Sequence, residues 1–145
     1  MATIRVSTII DAPPADVWAD VRHIETHVDW MQDAVAIRFH DDQREGPGVV
    51  FDCDTRVGPF RLTDRMQTTE WVDQAVMGVR HEGVVTGVGR FTLGDDGDGR
   101  SRFAWEETLQ FPWWMGGPIG ALLAKPVLRG VWRRNLRNLS ARFSS

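Results

Sequence analysis

The sequence predicts an α+β fold in which a curved antiparallel sheet of seven strands is packed by one long C-terminal helix. Three observations carry this. Apolar and polar residues alternate in seven separate stretches, turn-forming glycine, proline and aspartate part most of them, and the final stretch changes from strand to helix periodicity. With 145 residues the chain reads as one domain, 1–145, long enough to bury a real core.

Residues 3–10 alternate and form the first strand, which Asp11-Ala12-Pro13-Pro14 ends. Residues 16–24 place Val17, Val21 and Ile24 on one helical face with Trp18 beside them, and 25–31 form a second short helix or turn. Strands follow at 34–40, 49–57, 60–72, 75–82, 88–93 and 102–111. Glu45-Gly46-Pro47-Gly48, Gly58-Pro59, Asp73-Gln74 and Asp95-Asp96-Gly97-Asp98-Gly99 supply turn chemistry between them. No repeat, linker or low-complexity segment interrupts the succession.

The long helix spans 117–143. Gly116-Gly117 breaks the preceding strand, and Pro118 suits a first helical position, where its missing N–H costs nothing. Leu128, Trp132, Leu136, Leu139 and Phe143 trace one burying face at spacings of three or four. Ile119, Leu122, Leu123, Pro126 and Val127 fall on roughly the opposite side, so the first half is apolar nearly all round, as expected if loops or a ligand cover what the sheet does not. Pro126 is expected to bend it.

Composition narrows the function. A net charge of −3 argues against nucleic acid as a partner, and no apolar run approaches a membrane span. The N-terminus lacks the pattern of a signal peptide, and the single Cys53 fits a reducing cytoplasm. The scarcity of lysine beside arginine reads as the coding bias of a GC-rich, bacterial type of genome. After Glu107 no acidic residue occurs, so Lys125, Arg129, Arg133, Arg134, Arg137 and Arg142 set a +6 tail against −9 for the rest, together the net −3. Such cations complement a helix C-terminus and are expected to pair with the acidic sheet; the other reading is an anionic surface.

Ala12-Pro13-Pro14-Ala15-Asp16-Val17-Trp18, His27-Val28-Asp29-Trp30-Met31, Gly89-Arg90-Phe91, Phe103-Ala104-Trp105-Glu106-Glu107 and the final helix together resemble the polyketide cyclase/dehydrase branch of the START-like (Bet v 1-like, SRPBCC) superfamily. The resemblance covers essentially the whole chain. It implies a helix-grip fold, a seven-stranded antiparallel sheet wrapped around the long C-terminal helix and enclosing an apolar cavity, with two short helices after the first strand. Its members include lipid and sterol carriers, hormone receptors and aromatase/cyclases, so it implies a hydrophobic ligand without fixing a chemistry.

Alternation assigns the inward rows. Val49, Phe51, Cys53 and Val57 share a face with Thr55; Phe60, Leu62 and Met66 share one with Asp64; Met77 and Val79 bring His81; Phe103, Trp105, Leu109 and Phe111 bring Glu107. Three apolar rows therefore each carry one ionisable residue, which needs pairing, a hydrogen bond, water or a shifted pKa if buried. The expected ligand-facing set is Phe51, Cys53, Leu62, Met66, Met77, Val79, His81, Phe91, Trp105 and Glu107 on the sheet, with Leu122, Leu123, Val127 and Val131 on the helix. Asp64, His81 and Glu107 are the candidates for orienting a polar ligand group or for general acid/base work. Against catalysis, the chain has no tyrosine and its only lysine, Lys125, lies in the last helix.

Other motifs lead nowhere specific. His23 and His27 have a metal-compatible spacing but no further ligands in sequence and read as surface histidines. The aspartate-rich loop has Arg100 and Ser101 where a calcium loop needs a ligand and its turn glycine, Gly87 and Gly89 complete no dinucleotide fingerprint, and Cys53 has no adjacent base. No metal or cofactor is expected. Trp113, Trp114 and Met115 occupy a connection where they form a lid, internal packing, a subunit contact or a bilayer contact. The expectation is thus binding of a small hydrophobic molecule, lipid, sterol or polyketide-like, in a cytoplasmic monomer or homodimer. A cyclase/dehydrase-type enzyme is the alternative, and a protein-interaction or membrane-surface module, meeting anionic lipid through Trp113, Trp114 and the basic helix, is the third reading.

Overall fold

A computed structural model describes residues 2–144. Strand β1 (Ala2–Ile10) leads into helix α1 (Pro14–Val21) and a 3-10 helix (Ile24–Asp29). Strands β2 (Ala34–Phe39), β3 (Val50–Val57), β4 (Phe60–Val72), β5 (Val76–Glu82), β6 (Thr86–Gly97) and β7 (Arg100–Gln110) follow, then a 3-10 turn (Trp113–Met115) and helix α2 (Gly117–Ala141). The seven strands form one sheet in the order β1-β7-β6-β5-β4-β3-β2, every neighbouring pair antiparallel. This is the α+β, helix-grip arrangement that the sequence predicts.

Local chemistry explains where the elements start and stop. Pro14 enters α1 at its first turn, and the Pro13 carbonyl accepts from the Asp16 and Val17 N–H groups. The helix stops at Val21, short of the expected 24, because His23 is extended; Ile24 buries from the following 3-10 helix instead. Strand β6 runs well past the expected 88–93. Gly94 and Asp95 read as turn residues, yet their backbones pair with Arg102 and Ser101 before a bulge between Asp95 and Gly97. The reversal falls at Asp98 and Gly99, both with positive φ.

The core lies between the β1–β7 side of the sheet, the short helices and the C-terminal half of α2. Ile4, Ile10, Val17, Val21, Ile24, Trp30, Phe103, Leu136 and Leu139 are buried there, apolar side chains that each contribute about 1.5–3 kcal/mol on leaving water. Polar contacts fix the same half of the helix. Ser140 Oγ donates to the Ile9 carbonyl at 3.1 Å, Asn138 Nδ2 to the Trp30 carbonyl at 3.2 Å, and the Arg142 guanidinium grips Asp20 with two bonds of 2.8 Å.

The N-terminal half of α2 is different. Ile119, Leu122, Leu123 and Val127 are each more than half exposed, so of the two covers expected for them, loops or a ligand, loops are ruled out. The expected pairing of the basic tail with the sheet is also corrected. Among the described residues Arg142 is the one of the six late cations in an ion pair, and its partners, Asp20 and Asp29, lie in α1 and the first 3-10 helix.

Candidate functional site

Because α2 packs mainly on β1 and only lightly on β7, its N-terminal half stands away from the middle of the sheet. The space between is a largely apolar cavity of about 840 Å³. Of the residues singled out by alternation, Phe51, Cys53, Leu62, Met66, Met77, Val79, His81, Phe91, Trp105 and Glu107 line it from the sheet, and Leu123 and Val127 from the helix. Leu122 and Val131 do not. The helix presents Gly120, Leu123, Ala124, Val127, Leu128 and Trp132 to the space, which turns Leu122 outward to solvent and lays Val131 against the core.

Asp64, His81 and Glu107 meet. His81 Nδ1 lies 2.5 Å from Asp64 Oδ2, and His81 Nε2 lies 3.4 Å from Glu107 Oε1. All three are more than nine-tenths buried. Asp64 is on β4 and His81 on the adjacent β5, whereas Glu107 is on β7, with β6 in between. The gap is bridged because β6 presents no side chain there: Gly89 pairs with Glu107, Gly87 pairs with His81, and a Cβ on Gly89 would come within 2.8 Å of Glu107 Oε1. Trp105 Nε1 donates to Glu107 Oε1 at 3.0 Å and its ring stacks on Trp132 at 4.7 Å, fixing the carboxylate from the other side.

The electrostatics follow from this geometry. Burial works against charge on His81, but the neighbouring Glu107 and Asp64 outweigh it and raise the imidazole to about 10, so it is an imidazolium at neutral pH. Its Nδ1–H is held by Asp64. Its Nε2 is within ion-pair distance of Glu107 but outside hydrogen-bond geometry, and both Nε2 and Asp64 Oδ1 are buried without a hydrogen-bond partner. The arrangement can donate a hydrogen bond from Nε2 to a ligand oxygen, or pass a proton between His81 and Glu107.

Further polar residues reach the wall that the sequence reading did not assign to it. Asp33, just before β2, accepts from Asn135 Nδ2 at 2.6 Å and from Trp132 Nε1 at 3.3 Å, and burial raises its pKa despite those bonds. His27, expected at the surface, is buried among Trp30 and Phe91 with Nε2 at 2.8 Å from the Val21 carbonyl. Burial lowers its pKa to about 4, so it is neutral. Alternation put Asp64, His81 and Glu107 on inward rows, and the β6 glycines that let them meet were not read as a signal; nothing in the alternation marked Asp33 or His27. Burial pushes the Cys53 thiol up to about 12, which removes the thiolate a nucleophile would need. Among the described residues no group of three or more histidine, cysteine, aspartate or glutamate side chains is arranged so that it could hold a metal ion.

The fold and its cavity define the helix-grip class, and comparison with known proteins agrees. The chain matches the family described as "Polyketide cyclase / dehydrase and lipid transport" over residues 1–144. It belongs to that family. No curated protein sequence matches it significantly. Among solved structures, a protein from Thermus thermophilus superposes with a TM-score of 0.81 at 16% identity, covering 98% of this chain and 97% of that one. A START superfamily protein from Mycobacterium smegmatis gives 0.77 at 11% identity, covering 97% of this chain and 96% of that one. The Zhui aromatase/cyclase from Streptomyces gives 0.73 at 15% identity, covering 97% of this chain and 92% of that one. At these identities the likeness is one of fold.

Proposed function

We propose that this chain binds a small hydrophobic molecule, lipid, sterol or polyketide-like, in the cavity between the sheet and α2. The observation that carries the reading is an apolar space of about 840 Å³ inside a small domain, large enough for a ligand of that class. Phe51, Cys53, Leu62, Met66, Met77, Val79, Phe91, Trp105, Leu123 and Val127 form its apolar contact surface, and His81 and Glu107 orient a polar group. Native mass spectrometry of the protein purified from its own host tests this: a co-purifying apolar molecule is expected, and it should be lost when Met77→Trp fills the space. An empty protein that also takes up no apolar probe would sink the reading.

A second reading is favoured by one specific observation. An imidazolium braced by Asp64 and placed 3.4 Å from a second carboxylate is a usable acid/base pair facing the cavity, as a cyclase or dehydrase needs. An enzyme gives product and a pH profile that Glu107→Gln abolishes; a carrier gives ligand exchange without turnover.

Contact with an anionic membrane is part of the same proposal. Trp113 is 87% exposed and Trp114 61%, Trp114 also lines the cavity, and Ile119, Leu122 and Leu123 continue the apolar surface along α2. Lys125, Arg129 and Arg133 follow on the same helix without an ion-pair partner among the described residues. Co-sedimentation with vesicles containing anionic lipid is expected, with a loss of about tenfold or more in the Trp113→Ser/Trp114→Ser double variant. No binding to anionic vesicles would leave the patch to a protein partner or a second copy. No described helix is long and apolar enough to cross a membrane.

A further inference from the structure

We infer that the cavity selects an apolar molecule whose buried end is a neutral hydroxyl, and discriminates against the same molecule ending in a carboxylate. This rests on the ligand-binding reading above and specifies the ligand's polar end. Two features of the wall carry it.

The first is an unfilled hydrogen-bond gap. His81 lines the cavity and its Nε2 is buried without a hydrogen-bond partner, while Glu107 Oε1, which accepts from Trp105, stands 3.4 Å away without the alignment to accept from Nε2 as well. A single oxygen at about 2.8 Å from both atoms closes that triangle. Such an oxygen must accept from the Nε2–H and donate to the carboxylate. A hydroxyl does both, whereas a ketone or ether oxygen has nothing to donate to Glu107 and an ammonium has nothing to accept with.

The second is the sign of the buried charge. Asp33, Asp64 and Glu107 line the same space against the one imidazolium of His81, and the remaining lining histidine, His27, has its Nε2 on the Val21 carbonyl. Arg61 and Arg90 reach the lining only from exposed positions, and Arg90 is already paired with Glu70 at 3.1 Å. A carboxylate brought to His81 would therefore be a fourth carboxyl group in a low-dielectric enclosure that offers one imidazolium. A neutral hydroxyl adds no charge, gives the orphaned Nε2 an acceptor and finds one itself in Glu107, so burying it carries little of the usual penalty for a polar group.

The test is displacement of a neutral fluorescent probe from the full chain by a straight-chain alcohol, carboxylic acid, primary amine and alkane of one length, at a mildly alkaline pH where the acid is ionised. The alcohol should bind about tenfold or more tightly than the acid, and more tightly than the alkane and the amine. In Glu107→Gln the alcohol-to-acid ratio should narrow, since one of the buried carboxyl groups that oppose a second acid is removed. Equal displacement by all four overturns the inference and leaves the cavity reading intact, as does a preference for acid or amine. An unchanged ratio in Glu107→Gln also overturns it. Failure of every compound and of the probe to bind overturns both. Should Glu107→Gln fold poorly, the wild-type series decides alone.

Discussion

Two buried histidines within one cavity wall titrate in opposite directions, and that difference sets how the protein should respond to pH. His27 is held neutral by burial, its pKa falling from 6.5 to about 4. Between those values the unfolded chain takes up a proton that the folded one refuses, so stability is full above about pH 6.5 and falls as the pH drops toward 4, by about 3 kcal/mol. His81 has the reverse sign. Its pKa is raised to about 10, so its contribution is complete below the ordinary histidine range and is lost as the pH climbs through that value. Urea midpoints measured across pH are therefore expected to peak near neutrality, and His27→Gln should flatten the acid side alone. His81→Ala, which leaves Asp64 and Glu107 buried without their cation, is expected to cost about 3–5 kcal/mol in the same measurement at neutral pH. Sequence alone placed Asp64, His81 and Glu107 on apolar rows because each shares strand parity with its neighbours. It missed His27, whose burial depends on the 3-10 helix setting Trp30 beside it and on Phe91 arriving from β6. Asp33 was illegible for a like reason: it precedes β2, and its partners Trp132 and Asn135 lie about a hundred residues away.

At the level of elements, β6 decides whether the charged cluster exists. Its inward positions Gly87 and Gly89 leave the room through which Glu107 of β7 reaches His81 of β5. Gly89→Ala would bring a Cβ within 2.8 Å of Glu107 Oε1 and 2.9 Å of its Cγ, side-chain atoms that can move. The expected result is a loss of about 1–3 kcal/mol in thermal or urea unfolding, with the His81 imidazole pKa lowered as Glu107 is displaced, a shift that NMR titration would detect. Gly87→Ala should be worse, because its Cβ would sit 1.9 Å from the Thr108 carbonyl oxygen, and backbone in the middle of a sheet cannot move aside. A strand's parity says which residues face inward but not which of them touch across an intervening strand. The extent of β6 was hidden for a related reason, since Gly94 and Asp95 have turn chemistry but are held in the sheet by Arg102 and Ser101. Helix α2 was read more fully: Trp132, Leu136 and Leu139 bury as their spacing requires, and of the covers expected for the other side, loops or a ligand, no loop is there.

Across the whole molecule, the order of strands and the single long helix were legible because alternation, turn residues and the change of period agree with one another. The cavity's volume was not, because it depends on how far α2 stands from the sheet. That distance is set by the core at one end. Leu136→Ala, in the buried half, should cost about 2–5 kcal/mol in denaturant unfolding. The same substitution at Leu122, which is 64% exposed, should change stability by about 0.5 kcal/mol or less. The asymmetry of α2 also has a kinetic meaning. Its C-terminal half is clamped by Leu136, Leu139, Ser140 and Arg142, whereas the half before Trp132 is largely exposed and contains Pro126, which has no N–H to offer the Leu122 carbonyl. The helix is a beam fixed at one end. Amide hydrogens near Leu123 should exchange with solvent orders of magnitude faster than those near Leu136, and cargo would enter and leave at the rate at which the unsupported end lifts, without the protein unfolding.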